Sequence, residues 1–437
     1  MSEVSQKVAG FLKSHGMYHG DIDMEEVCGA FLEEMAAGLA GLQSSLAMIP
    51  TYIETGKALP ANKPVVAMDA GGTNFRAAVV HFDKNNEATI KKLRTKPMPG
   101  VQKEVSREEF FDTLAGYVKD IIEASERIGF CFSYPCEIAA DKDGKLIRFV
   151  KEIHMSQIVG QRIGENLNAG LTRLGFTGPK HIVILNDTVT ALLAGMAGFE
   201  DKQYDSYVGF ILGTGTNSCY IEQNKNITKV EGLDAQGSMV INVESGGFGK
   251  APRGKIDLQF DAGTNNPGVH TLEKMISGAY LGPLCLEVIR AAIKDGLFSS
   301  QGCEKLRAVK KLGTKHLSDY LTEPSAAYSP VGEALFVASN YDKAIMAALI
   351  EAMVERAAKL TAVNLAAAVL KSGKGKNPQR PVCIVAEGTT FYSLPGLKEK
   401  VEEYLQEFLT GEKARYHKIV QVENATLIGA AIAGLTN

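Results

Sequence analysis

Short apolar runs alternate with amphipathic stretches along most of this chain. Residues 65–80 are apolar on both sides of a glycine turn, which predicts two strands joined by a reversal. Residues 182–185 are wholly apolar and predict a buried strand, while residues 190–197 predict a helix rich in small side chains. Strands that interleave with helices indicate an α/β protein.

Residues 24–49 predict one long amphipathic helix. Apolar side chains recur there in steps of three or four: Met24, Val27, Phe31, Met35, Leu39, Leu42, Leu46 and Ile49. Asp23 and Glu26 form a capping-box pattern, and Pro50 would end the helix. Its polar face is acidic rather than basic, so we expect it to pack on a larger body and not on a membrane.

The rest of the hydrophobic pattern predicts further strands and helices of an α/β fold. Further strands are predicted at residues 128–132, 239–243 and 382–386, with an exposed hairpin at 137–148. Further helices are predicted at residues 108–124, 158–174, 271–276, 283–294, 342–370, 397–409 and 425–435. Residues 295–340 fit only a mixture of short helices and loops.

A second apolar hairpin, at residues 207–222, has the same plan as the first. The two turns, Gly71-Gly-Thr-Asn74 and Gly213-Thr-Gly-Thr-Asn217, both end in Thr-Asn. Glycines let backbone N–H groups approach a phosphate, and a hydroxyl adds another donor. Either turn alone could be an ordinary hairpin, and a chance resemblance between them stays open. Their repetition predicts two similar α/β halves with facing phosphate turns.

The composition fits a globular protein with more than one domain. The chain has 437 residues, of which 45% are hydrophobic and 22% charged, and its net charge is -3. This length exceeds one ordinary core, and the small charge gives no sign of a nucleic-acid or membrane surface. The seven cysteines lack CxxC spacing, and the first residues lack the apolar core of a signal peptide. We therefore expect a cytoplasmic protein with reduced thiols, no membrane anchor and no nucleic-acid partner.

Polar side chains collect where the predicted strands end. They are Asp69, Ser133, Asn186, Asp187, Asn217, Glu244 and the pair Gly388 and Thr389. In open α/β sheets, ligands bind beyond the carboxyl ends of the strands. One polar strand end is usually a cap or a turn, but so many in one chain are hard to explain by capping alone. They predict a ligand site, in which Asp69 could hold a metal directly or through water.

Asp187 is the strongest candidate for a general base. It follows a wholly apolar strand and precedes a helix. Burial would raise the pKa of its carboxyl group and the helix N-terminus would lower it, and the sequence leaves that balance open. The alternative is that Asp187 only caps the helix. Its position among the other polar strand ends favours catalysis.

Four further side chains form a set of short, directional hydrogen-bonding groups. They are Asn186, Asn217, Glu244 and Glu273. A ligand with several hydroxyl groups needs such a set, because one amide or carboxylate can hold two adjacent hydroxyls. A magnesium cage could use the same residues, but Mg²⁺ usually takes only one or two carboxylates with phosphates and waters.

The motifs of this chain are similar to those of the hexokinase family and come in the same order. They are Asp69-Ala-Gly-Gly-Thr-Asn-Phe-Arg76, Phe132-Ser-Tyr-Pro-Cys136, Leu185-Asn-Asp-Thr188, Gly213-Thr-Gly-Thr-Asn217, Asn242-Val-Glu-Ser-Gly-Gly-Phe-Gly249, Asn266-Pro-Gly268, Glu273-Lys-Met-Ile-Ser-Gly-Ala-Tyr-Leu-Gly282 and Gly388-Thr389. The resemblance covers residues 62–435, the length of one hexokinase module. It implies an actin-like ATPase, ribonuclease-H-like fold with two α/β domains around a ligand cleft.

The resemblance also implies roles for individual residues. Asp187 would accept the proton of the sugar 6-hydroxyl, and Lys151 would reach the sugar and the transferred phosphoryl group. The implied sugar contacts are Ser133, Lys151, Asn186, Asp187, Asn217, Glu244 and Glu273. The implied nucleotide contacts are Asp69, Gly71, Gly72, Thr73, Asn74, Arg76, Gly213, Thr214, Gly215, Gly388 and Thr389. Asp69 would also anchor Mg²⁺ through water.

The same resemblance implies a division into domains, and three positions of this chain depart from the family pattern. Residues 62–186 would form a small α/β domain, with helix 424–437 packed on it. Residues 187–423 would form a large α/β domain that includes the helical segment 1–61. Val150 stands where the family has a threonine, Glu387 where it often has Asp, and glycines 246 and 247 where it has bulkier residues. We expect altered sugar affinity, altered nucleoside contacts and a looser loop, respectively.

The sequence therefore predicts an ATP-dependent hexokinase. It would phosphorylate the 6-hydroxyl of glucose, mannose or fructose in glycolysis, with Mg²⁺ and ATP, as a monomer or homodimer. One alternative is a kinase for another hexose derivative. The other is an actin-like ATPase that acts on no sugar and needs the phosphate turns but not the polar set at 186, 217, 244 and 273.

Overall fold

The computed structural model describes residues 2–55, 57–101, 103–148, 155–198, 204–324 and 328–437. The strands in these ranges are β1 Ile49–Glu54, β2 Val65–Ala70, β3 Asn74–Phe82, β4 Ala88–Pro97, β5 Arg127–Phe132, β6 Cys136–Ile138, β7 Gly144–Leu146, β8 His181–Leu185, β9 Ser206–Leu212, β10 Thr216–Gln223, β11 Ser238–Asn242, β12 Val382–Glu387 and β13 His417–Val420. The α-helices in these ranges are α1 Glu3–Ser14, α2 Met24–Leu39, α3 Arg107–Val118, α4 Ile163–Arg173, α5 Asp187–Gly198, α6 Lys255–Ala262, α7 Thr271–Ile276, α8 Leu281–Lys294, α9 Ser300–Leu306, α10 Thr314–Thr322, α11 Pro330–Ala334, α12 Asn340–Lys371, α13 Thr389–Ser393, α14 Leu397–Phe408 and α15 Ala425–Thr436.

The first sheet contains the first predicted hairpin. Within the described chain its strand order is β4-β3-β2-β5-β8. β2 runs parallel to β5, and β5 runs parallel to β8, so their carboxyl ends lie at one edge of the sheet. The parallel strands β2, β5 and β8 are almost wholly buried because helices cover both faces, which explains their continuous apolar runs. The strands predicted at 128–132 and 182–185 are confirmed.

The second sheet contains the second predicted hairpin. Its strand order in the described chain is β1-β11-β10-β9-β12-β13. β9 and β10 form the antiparallel hairpin, and β12 lies parallel to β9 with Glu387 opposite Ile211. The turn after β9 and the end of β12 therefore lie side by side. The predicted pair of hairpins, one in each sheet, is confirmed.

Two helices, α12 and α15, pack directly against the sheets. α12 is 32 residues long and buries most of its carboxyl-terminal half against the second sheet and the helices around it. α15 packs on β2 and β5 of the first sheet and on α5. A Cβ atom at Gly129 in β5 would overlap the carbonyl group of Ala430 in α15, so glycine at 129 permits this close approach.

One predicted helix, at 24–49, is wrong beyond Leu39. Asp23 caps α2 as predicted, but the helix ends at Leu39, and Ile49 begins β1. Gly41 has a φ of 72°, which ends the helix, and Leu42 is 68% exposed. β1 pairs with β11, with Ile49 opposite Asn242. The apolar spacing continues past Leu39 although Leu42 is exposed, because Leu46 is buried in the core and Ile49 belongs to β1.

We propose the domain division that the resemblance implied. The strands of the first sheet all come from residues 65–185, and α15 packs on that sheet. β1 belongs to the second sheet, which supports the assignment of residues 1–61 to the large domain. None of the helices in the described ranges combines the length and apolar character needed to cross a bilayer.

Candidate active site

The turn between β2 and β3 presents backbone donors that no described residue accepts. Gly71 N–H donates to Asn74 O at 3.0 Å, and Tyr134 Oη donates to Gly71 O at 2.7 Å. The amides of Gly72 and Thr73 donate no hydrogen bond within the described residues. Thr73 and Asn74 are exposed. This turn can therefore offer N–H groups and a hydroxyl to an anion.

Asp69 lies in β2, two residues before Gly71, and is held by contacts to one of its two carboxylate oxygens. Arg76 lies opposite it across β2 and β3, and the guanidinium donates to Asp69 Oδ2 at 2.7 and 3.1 Å. Thr426 Oγ1 donates to the same oxygen at 2.9 Å. Arg76 also reaches Asn424 Oδ1 at 3.4 Å, so it connects the hairpin to the start of α15. Asp69 Oδ1 accepts no hydrogen bond from the described residues.

The turn between β9 and β10 is fixed from outside by Gly278 and Thr390, which the sequence did not predict as site residues. Gly278 N–H donates to Gly213 O at 2.8 Å, and Thr390 Oγ1 donates to the same oxygen at 2.9 Å. Gly388, with a φ of 117°, packs so closely that a Cβ there would overlap the carbonyl group of Leu212. The second glycine turn, Gly388 and the first turn of α13 are therefore one cluster.

Glu387 stands at the end of β12 beside this cluster. Its Oε1 atom is buried and has no hydrogen-bond partner among the described residues. Burial raises the pKa of its carboxyl group. Glu387, where the family often has Asp, thus has one carboxylate oxygen that is unsatisfied among the described residues.

Asn186 and Asp187 mark the passage from β8 to α5. Asn186 Oδ1 accepts hydrogen bonds from Thr188 N–H at 3.0 Å and Thr188 Oγ1 at 2.9 Å. Asp187 Oδ1 accepts from the same N–H at 2.9 Å, so both side chains cap the helix. Capping occupies one oxygen of the half-buried Asp187, and capping and a catalytic role are compatible.

A chain of hydrogen bonds connects three strand ends. Asn217 Nδ2 donates to Asn186 Oδ1 at 3.3 Å and to Asn242 Oδ1 at 2.7 Å. Asn242 Nδ2 donates to Glu244 Oε1 at 2.9 Å. Asn242 begins the hexokinase-like motif at residues 242–249, but the sequence did not predict it as a site residue. The sequence signal was its place two residues before Glu244, at the end of a buried strand.

Glu244 has unusual surroundings for a carboxylate. Burial raises the pKa of its carboxyl group, and the negative charge of Asp187 acts in the same direction. The bond from Asn242 and the positive charge of Arg148 oppose this rise. Glu244 also has a left-handed backbone, with a φ of 57°. Strained, partly buried carboxylates of this kind are concentrated at functional sites.

Glu273 approaches the same place from α7. Its Oε2 atom accepts a hydrogen bond from Thr216 N–H at 3.0 Å, next to Asn217. A Cβ atom on Gly215 would lie 2.5 Å from that oxygen, so glycine at 215 makes the approach possible. The structure thus brings Glu273 to the strand that carries Asn217.

The expected looseness at glycines 246 and 247 is wrong. A Cβ atom on Gly246 would lie 2.9 Å from Thr216 O, and one on Gly247 would lie 2.8 Å from Ser45 O. Both glycines therefore permit close packing instead of loosening the loop. Their neighbours come from β10 and from the segment before β1, which no local pattern reveals.

Ser45 is itself held by a buried carboxylate, Glu34. Glu34 Oε2 accepts hydrogen bonds from Ser45 N–H at 2.5 Å and Ser45 Oγ at 2.8 Å, and Lys250 lies 3.0 Å from Oε1. Ser45 Oγ in turn accepts from Gly249 N–H at 3.0 Å. Burial alone would raise the pKa of Glu34, but these bonds and one from Ser44 outweigh it and lower the pKa to about 2.

We expect Glu34 to stabilise the protein above pH 4.5 and to lose that effect as the pH falls toward 2, since the folded pKa is depressed from 4.5 to about 2. The shift corresponds to about 3 kcal/mol at neutral pH. Glu34→Gln should lower the free energy of unfolding by about that amount at pH 7, and the difference from wild type should shrink below pH 4.5. Urea unfolding at a series of pH values measures it. Glu33→Gln is the control, because Glu33 is 77% exposed. Equal effects of the two substitutions would contradict the prediction.

Ser133 follows β5, in which Cys131 lies opposite Leu185 of β8, and the remaining predicted sugar contact lies outside the described chain. Ser133 N–H donates to Ala70 O at 3.1 Å, and Ser133 Oγ lies 3.7 Å from Cys131 Sγ. Lys151 and Val150 lie outside the described residues. Just before that stretch, Arg148 Nη2 lies 2.5 Å from Nε2 of His270, which precedes α7. Burial and the charges of Arg148 and Lys274 lower the pKa of His270 to about 4.

Comparisons with known proteins agree over the whole chain. Two family models described as Hexokinase match residues 15–197 and 207–436. Hexokinase-3 of Oryza sativa subsp. japonica is 28% identical over 94% of this chain and 86% of its own length. Hexokinase-1 of Schizosaccharomyces pombe is also 28% identical over 94% of this chain and 86% of its own length.

Solved structures resemble the whole molecule. The hexokinase from Schistosoma mansoni complexed with glucose has a TM-score of 0.79 and 25% identity, and the match covers 100% of this chain and 99% of that one. A second hexokinase crystal structure, 23% identical with a TM-score of 0.77, shares the fold. The predicted actin-like ATPase fold is confirmed.

Proposed function

The chain belongs to the hexokinase family, enzymes that phosphorylate sugars with ATP, and we propose that it acts on the 6-hydroxyl of glucose and related hexoses. The products would be hexose 6-phosphates, as in glycolysis. The observation that carries the proposal is the hydrogen-bonded chain from Asn186 through Asn217 and Asn242 to Glu244. Amides and carboxylates linked in this way form a preorganised surface for a ligand with several hydroxyls.

The sugar would lie against four of these polar side chains and beside Asp187. They are Asn186, Asn217, Glu244 and Glu273. The Asn217 amide is already occupied by protein partners, and its 3.3 Å bond to Asn186 is the longest of them. A sugar hydroxyl would replace that bond with least loss. Ser133 and Lys151 would complete the contacts, on the strength of the family resemblance.

Asp187 would act as the general base. One of its oxygens accepts the Thr188 N–H, which orients the carboxylate, and the group would accept the proton of the sugar 6-hydroxyl. The hydroxyl oxygen would then attack the γ-phosphorus of ATP. Phosphoryl transfer passes through a loose transition state, so positioning and charge stabilisation supply most of the rate.

The two glycine turns would hold the triphosphate of ATP. The amides of Gly72 and Thr73, which have no acceptor among the described residues, and the hydroxyl of Thr73 support this role for the first turn. Gly213, Thr214 and Gly215 would form the second turn, and Gly388 and Thr389 would meet the nucleoside. Arg76 would act through Asp69, because its guanidinium is paired with that carboxylate.

Asp69 fits a magnesium ion that ATP carries into the site. Within the described residues no group of three or more His, Cys, Asp or Glu side chains is placed to hold a metal. Mg²⁺ needs only one or two carboxylates when phosphates and waters supply the other ligands. Asp69 Oδ1 remains available for a water of the ion. Bound there, Mg²⁺ would neutralise charge on the phosphate oxygens.

Steady-state kinetics across sugars tests the proposed function. The intact protein with Mg-ATP is expected to phosphorylate glucose, mannose or fructose at least a hundred times faster than it hydrolyses ATP without sugar, as closure over sugar would exclude water. The panel includes N-acylated hexosamines. Turnover of those compounds alone would replace the proposal with a kinase for a hexose derivative. Equal ATP turnover with and without sugar would support an actin-like ATPase instead.

A further inference from the structure

The middle of α12 contains a buried polar pair that the proposed chemistry does not use. Thr361 and Asn364 are fully buried, and their neighbours between Leu360 and Val369 are all apolar and buried. Burying a side-chain amide is unfavourable unless it is hydrogen-bonded. The partners of Asn364 therefore show what the amide stabilises.

Both ends of the Asn364 amide contact the backbone segments that carry the proposed sugar contacts. Ser218 Oγ donates to Asn364 Oδ1 at 3.0 Å, and Asn364 Nδ2 donates to Ser245 Oγ at 3.2 Å. Ser218 directly follows Asn217, and Ser245 directly follows Glu244. One side chain of α12 thus joins β10 to the turn after β11.

The same two serines close a ring around Asn217. The N–H groups of Ser218 and Ser245 donate to Asn217 Oδ1 at 2.7 and 3.1 Å. Backbone N–H groups can only donate, so they determine which end of the Asn217 amide is the oxygen. Asn217 Nδ2 must then face Asn242 Oδ1, and Asn242 Nδ2 must face Glu244 Oε1. The direction of every bond from the ring to the Glu244 carboxylate follows from this.

We propose that Asn364 is a positioning residue of the sugar site. Its hydrogen bonds to Ser218 and Ser245 set the orientation of the Asn217 and Glu244 side chains. The inference rests on the hexose kinase activity proposed above. The nucleotide turn at Gly213 is held separately by Gly278 and Thr390. Loss of Asn364 should consequently affect the sugar and leave the nucleotide unaffected.

Asn364→Leu tests this inference through the separate KM values of the two substrates. The substitution keeps the branched shape of the side chain, with two methyl groups in place of the amide oxygen and nitrogen, and removes both hydrogen bonds. We expect the KM for the sugar to rise about tenfold, the effect of losing roughly one well-made hydrogen bond, with an unchanged KM for Mg-ATP. Thr361→Val is the matched control, because the buried Thr361 hydroxyl has no partner in the described chain. It should change neither KM.

A second variant tests the inference independently of whether Asn364→Leu folds. Ser218→Ala combined with Ser245→Ala removes the same two bonds with a smaller change in volume, and it should reproduce the rise in sugar KM alone. A wild-type sugar KM in both folded variants, or an equal rise in both KM values, would overturn the inference. A wild-type protein that phosphorylates no hexose would refute the proposed function itself, before any variant is compared.

Discussion

Asp187→Asn is expected to lower turnover by about two orders of magnitude or more. Asparagine is the informative replacement because its side-chain oxygen can still accept the Thr188 N–H bond at the start of α5. The helix cap is kept, and the proton acceptor is lost. Quenched assays of hexose 6-phosphate at saturating sugar and Mg-ATP measure the loss as kcat.

The expected pattern separates catalysis from capping. The melting temperature of Asp187→Asn should stay near that of wild type, and the KM for sugar should change little. Asp187→Ala removes one of the two acceptors of the Thr188 N–H and leaves the Asn186 cap in place, so it should show the same loss of turnover with at most a small drop in melting temperature. Wild-type turnover in Asp187→Asn would remove Asp187 from the role of base, and a lower melting temperature in Asp187→Ala alone would leave it as a cap.

Arg356→Leu is expected to lower the free energy of unfolding by about 3–5 kcal/mol, because it leaves a buried carboxylate without its partner. Arg356 in α12 is 1% exposed and Asp257 in α6 is 4% exposed. The two side chains form paired bonds of 2.6 and 3.1 Å, and Arg356 Nη2 also donates to Pro252 O at 3.2 Å. Urea unfolding at pH 7 measures the loss.

Two comparisons isolate the cause of that loss. Arg356→Leu combined with Asp257→Asn should recover part of the stability, since no unpaired charge remains and the asparagine oxygen can still accept the Gly254 N–H bond. Lys315→Ala breaks the exposed Lys315–Asp319 pair and should change stability by less than about 1 kcal/mol. A double variant no more stable than Arg356→Leu would assign the loss to packing instead of charge.

Local patterns were sufficient where an element determines its own environment. The apolar runs at 128–132 and 182–185 became β5 and β8, because a strand buried on both faces must be apolar throughout. Asp23 capped α2 as its spacing predicted, since a cap involves residues within one turn. The helix predicted at 24–49 failed after Leu39, because Gly41 ends the helix and Ile49 pairs with Asn242 of β11 instead of continuing it.

In the candidate site, too, the sequence predicted the local features and missed the long-range contacts. The motif order identified the polar strand ends, and the structure connects Asn186, Asn217 and Glu244 by hydrogen bonds, with Glu273 reaching the neighbouring Thr216. The sequence did not select Asn242, Thr390 or Asn364. Thr390 and Asn364 act through bonds to residues far away in the chain, and such bonds have no period or spacing. Asn242 did have a local signal, its place two residues before Glu244.

The sequence by itself determined that this is an α/β chain of the hexokinase family, with two glycine hairpins and a set of polar strand ends. Those features are local, because strand burial, turn geometry and caps depend on neighbours within a few residues. Only the tertiary structure decided that Glu34 holds Ser45 against glycines 247 and 249, and that Asn364 contacts the serines beside Asn217 and Glu244. Helix and sheet packing brings those side chains together, and packing depends on the whole chain.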